Sequence, residues 1–311
     1  MLAVIACRAP HNTAAATGGY THRRLLLRDE GISQLALVDL QDSSANWYVP
    51  VPVGRDVQLV GNNRVLIGTA NGYQEHDLTN GKKLVEVTRY PGTVAARRLR
   101  NGHTLLTGVN WQGKKGIVLI ETGAGGDSLR SYVYPGFDYV RLVRETMNGN
   151  FLVTANNYVF EGDRNGAILW KAMIGDAEKM HAWQALRLAN GQTVVSTGYA
   201  KTLAFFSADG KLVDTVTGPA TVHPNFFAGF QRLHNGNYVV ANWQGHGTTN
   251  GALGRQVLEY DKAGRLVWSW QQDARHFSSL HNAIILDELD LTLLQVEDAD
   301  GKLAPVAVSA Q

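Results

Sequence analysis

Asn-Gly turns, or close equivalents, punctuate this chain at near-regular intervals, each just ahead of a short apolar run. They read Asn63-Arg-Val-Leu-Ile, Asn101-Gly-His-Thr-Leu-Leu, Asn148-Gly-Asn-Phe-Leu-Val, Asn190-Gly-Gln-Thr-Val-Val and Asn235-Gly-Asn-Tyr-Val-Val. Successive starts lie 38, 47, 42 and 45 residues apart. The pair suits a tight hairpin, because both central residues of a type I′ turn need positive φ. A second turn series trails the first by 17 to 28 residues: Asn80-Gly81-Lys82, Gly125-Gly126, Asn165-Gly166, Asp209-Gly210-Lys211 and Ala263-Gly264-Arg265. Each is followed by another short strand, such as those carrying Trp170 and Trp268. Two hairpins per unit of this length give four strands per unit, which is the period of a β-propeller blade.

With strands labelled A to D from the axis outward, the first series is A–B and the second C–D, so both lie on one face. The D–A connections and B–C turns lie on the other. Five complete blades follow, over 54–91, 92–135, 136–176, 177–218 and 219–273. Residues 22–52 supply strands B, C and D without an A, while Leu280-His-Asn-Ala-Ile-Ile-Leu-Asp287 supplies an A without a blade. Pairing the two closes a ring of six and removes the edges an open array would expose. The expectation is an all-β, single-domain propeller of six four-stranded blades over 22–290, with 291–311 a C-terminal tail. The alternative is seven blades, with Leu291 to Val308 forming strands of their own.

Composition narrows the partners. In 311 residues, 29 Lys and Arg nearly balance 27 Asp and Glu, and no basic cluster of the kind nucleic acid requires is present. No run approaches the length of apolar residues that a membrane span needs. A single Cys leaves neither a disulfide framework nor a Cys-based zinc site. Residues 1–21 read as a flexible N-terminus or a signal-peptide remnant, with a lipid anchor at Cys7 as one outcome. That reading points to a periplasmic, secreted or outer-surface monomer.

The blade motif Leu-x-Asn-Gly-Asn-x-Leu-Val … Asp-x-x-Gly-Lys-x-Val-Trp, carried at 146–170, 188–213 and 233–268, resembles that of quinoprotein-like and NHL-like propellers. The resemblance covers nearly the whole chain and implies the fold. Such propellers include scaffolds, sugar-processing lyases, lactonases, sulfotransferases and quinone-dependent dehydrogenases, so function must come from the site. A quinone site in that family implies a metal flanked by acidic and basic residues, often with a vicinal Cys pair. With one Cys here, no quinone cofactor is expected.

Ligands of propellers usually sit at the axial mouth on the D–A and B–C face. Two B–C loops three blades apart share Asn110-Trp111-Gln112-Gly-Lys and Asn242-Trp243-Gln244-Gly-His246, offering Trp111 and Trp243 as stacking walls beside amide and imidazole groups. Duplication of a structural loop explains them equally. The starts of the A strands are not repeated and are better candidates. They carry Arg55, Tyr139 with Arg141, His181 with Trp183, His223 with Asn225, and His281 with Asn282. Three neutral imidazoles, His181, His223 and His281, could hold a divalent metal with an open position. Alternatively His and Tyr act as base and acid while Arg141 neutralises a carboxylate, as β-elimination from a uronic acid requires. The third reading is a wet channel without chemistry. The function expected is binding of a small polar ligand, a carbohydrate, at the axial mouth. A lyase or hydrolase using the same residues, and a protein-interaction scaffold, are the alternatives.

Overall fold

The computed structural model describes residues 23–175 and 180–308. Cys7 and the whole N-terminal segment discussed above lie outside the described residues. Six four-stranded antiparallel blades form the propeller. The first takes strand A from Leu280–Ile285 and strands B to D from Arg24–Asp29, Gln34–Asp39 and Trp47–Pro50. The closing register sets Leu26 opposite Ile284 and Leu27 opposite Ala283. The other five blades start their A strands at Val57, Ala95, Val143, Ala185 and Phe226, inside the spans read from the turns.

Alternation explains how the blades hold together. In strand B of the first blade, Leu25 and Leu27 pack with Val239, Val257 and Trp268 of the last blade. Leu26, between them, packs with Val57, Val65 and Ile67 of the second. Side chains point to opposite faces at a period of two, and in a propeller both faces of every blade are covered. The strands therefore read as continuous apolar runs.

Innermost strands are joined by glutamine. Gln184 Nε2 donates to the Phe230 carbonyl at 2.7 Å, and its Oε1 accepts from the Phe230 N–H at 3.3 Å. Gln58 makes the same pair with Arg98, and Gln231 with Ile285. Further out, a buried strand-C glutamate meets an arginine of the next blade: Glu75 with Arg98, Glu121 with Arg164, Glu161 with Arg187 and Glu259 with Arg23.

The Asn-Gly turns differ from the expected type. At Asn101-Gly102 only the glycine has positive φ, at 86°. The Gly102 N–H bonds to the Leu99 carbonyl and the Leu99 N–H to the His103 carbonyl. This is a three-residue hairpin loop in which a glycine takes the left-handed position. The asparagine contributes through its side chain, whose Oδ1 accepts from the His103 N–H at 3.0 Å. Positive φ at both central residues occurs at Asn62 (50°) and Asn63 (52°), in the one turn of the series without glycine at its second position.

Residues after Asp290, expected to be a tail, fold into a hairpin of Leu294–Glu297 and Leu303–Val306. It makes no seventh blade. Leu294 pairs with Val60, so the hairpin extends the second blade's sheet to six strands. Its turn lies across the A–B end of the channel. The Ala299 carbonyl accepts from the Ala189 N–H at 2.6 Å, and Glu297 and Asp300 carbonyls accept from Arg100 and Arg232. The Glu297 side chain is inserted between Arg97 (2.6 Å) and Arg144 (3.0 Å). Asp56 meets the same two guanidiniums from the other side, at 3.5 and 2.9 Å.

Candidate functional site

A cavity of about 300 Å³ opens on the D–A and B–C face. Its wall is assembled from four D–A connections or A-strand starts (Arg55, Arg141, His181 with Trp183, His281) and from three B–C turns (Glu30, Tyr199, Trp243 with His246). Val53, Gly54 and Phe226 complete it. The ring brings residues more than 200 positions apart to one mouth because every blade points its A strand at the axis.

Two guanidiniums share one side. Arg141 lies between two rings, 4.8 Å from the Tyr139 centroid and 4.9 Å from Trp183. Arg55 lies 5.7 Å from the other side of the Tyr139 system, with one nitrogen 3.4 Å from its hydroxyl and another on the Val140 carbonyl at 3.2 Å. Among the described residues no carboxylate pairs with either. Burial, reinforced by Arg55, pulls the Arg141 guanidinium down to about 10. Arg141 donates to His181 Nδ1 at 3.1 Å, which places the His181 lone pair on that nitrogen.

His281 is 1% exposed, and its two ring nitrogens have no hydrogen-bond partner of ordinary geometry. Burial, then Arg28 and Arg55, hold it well below the usual imidazole range, against a weak opposing pull from the Gly54 backbone. It is therefore neutral at pH 7. Trp183 Nε1 is also buried without a partner. Buried polar groups are normally satisfied, so two orphaned ones facing a single cavity are groups prepared for something that enters it. On the far wall Glu30 is committed: Oε2 accepts from Trp243 Nε1 at 3.0 Å and Oε1 meets His246 Nδ1 at 2.9 Å.

Acidification should expose the cost of a neutral buried histidine. The folded-state value is depressed, so below about pH 6.5 the unfolded chain binds a proton that the folded chain refuses. Stability falls as pH drops through that range, with a contribution of up to about 1.4 kcal/mol per pH unit. His76, also lowered mainly by burial, adds in the same direction. Denaturant titrations at pH 7 and pH 5 isolate His281, because His281→Gln should flatten the slope. An unchanged slope would contradict its buried neutral state.

The structure gathers His181, His281, Arg55, Arg141, Trp183, Trp243 and His246 at the cavity, with Tyr139 ordering the two arginines. It does not gather the rest. His223 is exposed and outside the lining, so the expected trio of His181, His223 and His281 does not converge. Among the described residues no group of three or more His, Cys, Asp or Glu is placed to hold a metal ion. Trp111 is buried between the second and third blades, with Nε1 on the Pro91 carbonyl at 2.7 Å, and Gln112 is exposed beside it. Gln244 and Asn225 clip loop backbone, through the carbonyls of His223 and Trp243. Asn282 donates to the Arg55 carbonyl and lines the deeper channel.

Five lining residues lacked a place among the sequence candidates: Glu30, Val53, Gly54, Tyr199 and Phe226. Glu30 sits in the B–C turn of the first blade, so superposing that incomplete blade on the others would have found it. An aromatic recurs at the B–C turns of five blades, as Tyr73, Trp111, Tyr158, Tyr199 and Trp243, a repetition that fits blade packing, yet Tyr199 is 44% exposed.

No family model matches the chain, and no curated protein matches it in sequence. Solved structures do match. A Bacteroides caccae protein of unknown function is 21% identical, with 86% of this chain and 100% of that one aligned at a TM-score of 0.68. Virginiamycin B lyase from Staphylococcus aureus is 12% identical over 91% and 90% of the two chains, at 0.52. Regucalcin, a calcium-binding protein of Agrobacterium tumefaciens, is 13% identical over 87% and 100%, at 0.54. What they share is the fold. The propeller part of the sequence resemblance stands on these likenesses, and a quinoprotein relationship is not among them. Among the described residues no helix is long and apolar enough to cross a membrane.

Proposed function

We propose that this propeller binds a small ligand carrying negative charge in the axial cavity. One observation carries the reading: Arg55 and Arg141 converge on the cavity without a carboxylate partner among the described residues. Uncompensated buried charge is costly, and a ligand that supplies the counter-charge recovers that cost on binding. A carbohydrate satisfies this condition only as an acidic sugar. The aromatic side chains contribute apolar area, but Trp183 and Trp243 each pack edge to face on Phe226 and all three are buried, which leaves Tyr199 as the exposed aromatic of the lining.

Calorimetric titration against glycans, uronic acids and simple carboxylates tests the site. His181→Ala frees Arg141 from its partner, and His281→Ala removes the orphaned ring. Each is expected to weaken a true ligand at least about tenfold, the worth of a lost hydrogen bond to a charged or buried group. Affinity untouched by both changes would place the ligand elsewhere.

Acid–base elimination is the second reading, supported by Tyr139 and His181 both contacting Arg141. The S. aureus lyase, a propeller of the same fold, is described as catalytically inactive after one histidine-to-alanine change. Turnover of a uronic acid polymer that survives Tyr139→Phe together with both histidine changes would sink this version.

A further inference from the structure

We infer that the axial cavity selects an acceptor-rich, donor-poor anion, namely a small oxo-carboxylate with an apolar body, and rejects polyols. The inference rests on the anion-binding reading above and specifies its ligand class.

The hydrogen-bonding inventory is lopsided. The groups left without a partner are Arg141 Nε, Trp183 Nε1 and the His281 ring. Arg and Trp side chains only donate, and a neutral imidazole donates once and accepts once. Few side-chain acceptors in the lining remain open: the Tyr199 hydroxyl and one nitrogen each of His281 and His246. Both Glu30 oxygens hold Trp243 and His246, and the His181 Nδ1 lone pair takes the Arg141 proton. A pyranose would bring several hydroxyl protons into this space, more than these few scattered acceptors can take. A uronate meets the charge and fails on the hydroxyls.

An oxo acid fits on each count. Its carboxylate matches the planar guanidinium fork. Its carbonyl oxygen can take the Trp183 N–H, which has no partner, or the His281 N–H beside it. Its hydrocarbon part meets Val53 and Phe226, both in the lining. Phosphate would satisfy the charge and leave the apolar wall against water. Specificity here comes from leaving the wrong ligand's donors unpaired, which discriminates more sharply than added apolar contact.

The test is calorimetric titration of the full chain with phenylpyruvate, its methyl ester, hydrocinnamate (which lacks the oxo group), glucuronate and inorganic phosphate. Phenylpyruvate is expected to bind at least about tenfold more tightly than each of the others. Arg141→Met should remove at least about tenfold of that affinity. Trp183→Phe keeps a ring and drops only the N–H, so it should narrow the gap between phenylpyruvate and hydrocinnamate. Glucuronate binding as tightly as phenylpyruvate, and weakened by Arg141→Met, overturns the ligand class and leaves the axial site standing. Binding of phenylpyruvate that neither substitution alters overturns the axial site itself. Absence of binding by every carboxylate overturns the ligand class.

Discussion

Glu297→Ala is expected to destabilise the protein by about 3–5 kcal/mol, although the residue lies in a segment whose sequence reads as a tail. The carboxylate is buried against Arg97 and Arg144, and among the described residues Asp56 is the only other acid those two guanidiniums meet. Removing one acid leaves two buried arginines sharing a single counter-charge. Burial by itself would raise the Glu297 carboxyl. Arg97 and Arg144 overcome that and hold it at about 2. A depressed acid contributes stability that is fully present above its unfolded value near 4.3 and lost as pH falls through about 2. Wild type should therefore lose stability on strong acidification in a step that Glu297→Ala lacks. Denaturant unfolding at pH 7 and pH 3 measures both effects. A loss under about 1 kcal/mol at pH 7 would mean the arginines find water or another partner.

The second large effect runs in two directions at once. Arg55→Met together with Arg141→Met should raise the stability of the ligand-free protein by about 1–3 kcal/mol. It should also abolish ligand binding, by about a hundredfold or more. Both residues are long-stemmed and methionine preserves most of the stem volume, so packing changes little. What disappears is a pair of like charges near one tyrosine ring, one of them pulled down to about 10 by burial and then by its neighbour. Opposite signs for stability and affinity are the signature of a site kept strained for its ligand. Thermal unfolding of wild type and double variant decides it, and a destabilised variant would show that the arginines serve the fold.

Much of the architecture was legible because turns are local. Blade spans, the closing strand and the face carrying the cavity all follow from glycine-marked hairpins and a count of strands. Side-chain direction was the harder part. Trp111 and Trp243 share Asn-Trp-Gln-Gly, yet one fills a blade interface and the other the mouth. The Trp111 ring folds back over Gly108, where a Cβ would sit 2.7 Å from it. Three residues before Trp243 stands Val240, whose side chain denies the second tryptophan the same retreat. A four-residue motif cannot carry that information. His223 and His281 likewise both open A-strand regions, but His223 ends a turn in the left-handed conformation and points out. The terminal hairpin was unreadable for another reason. Its partners, from Arg97 to Arg232, are distributed over the whole ring, so no local pattern announces them. The recurrent strand-C glutamates were readable, at Glu75, Glu121, Glu161 and Glu259, and mark blade junctions as plainly as the turns do.

Closure by a late strand also sets a timetable. Leu25 pairs with Ile285, so the inner edge of the first blade stays open until a strand 260 residues further along has left the ribosome. At synthesis rates of about 5–20 residues per second that wait is on the order of tens of seconds. Throughout it, an apolar strand with unpaired backbone groups is offered to any neighbour able to add a strand. A nascent chain of this kind depends on whatever shields that edge, and overproduction should fail first by aggregation during synthesis rather than by unfolding of the finished ring.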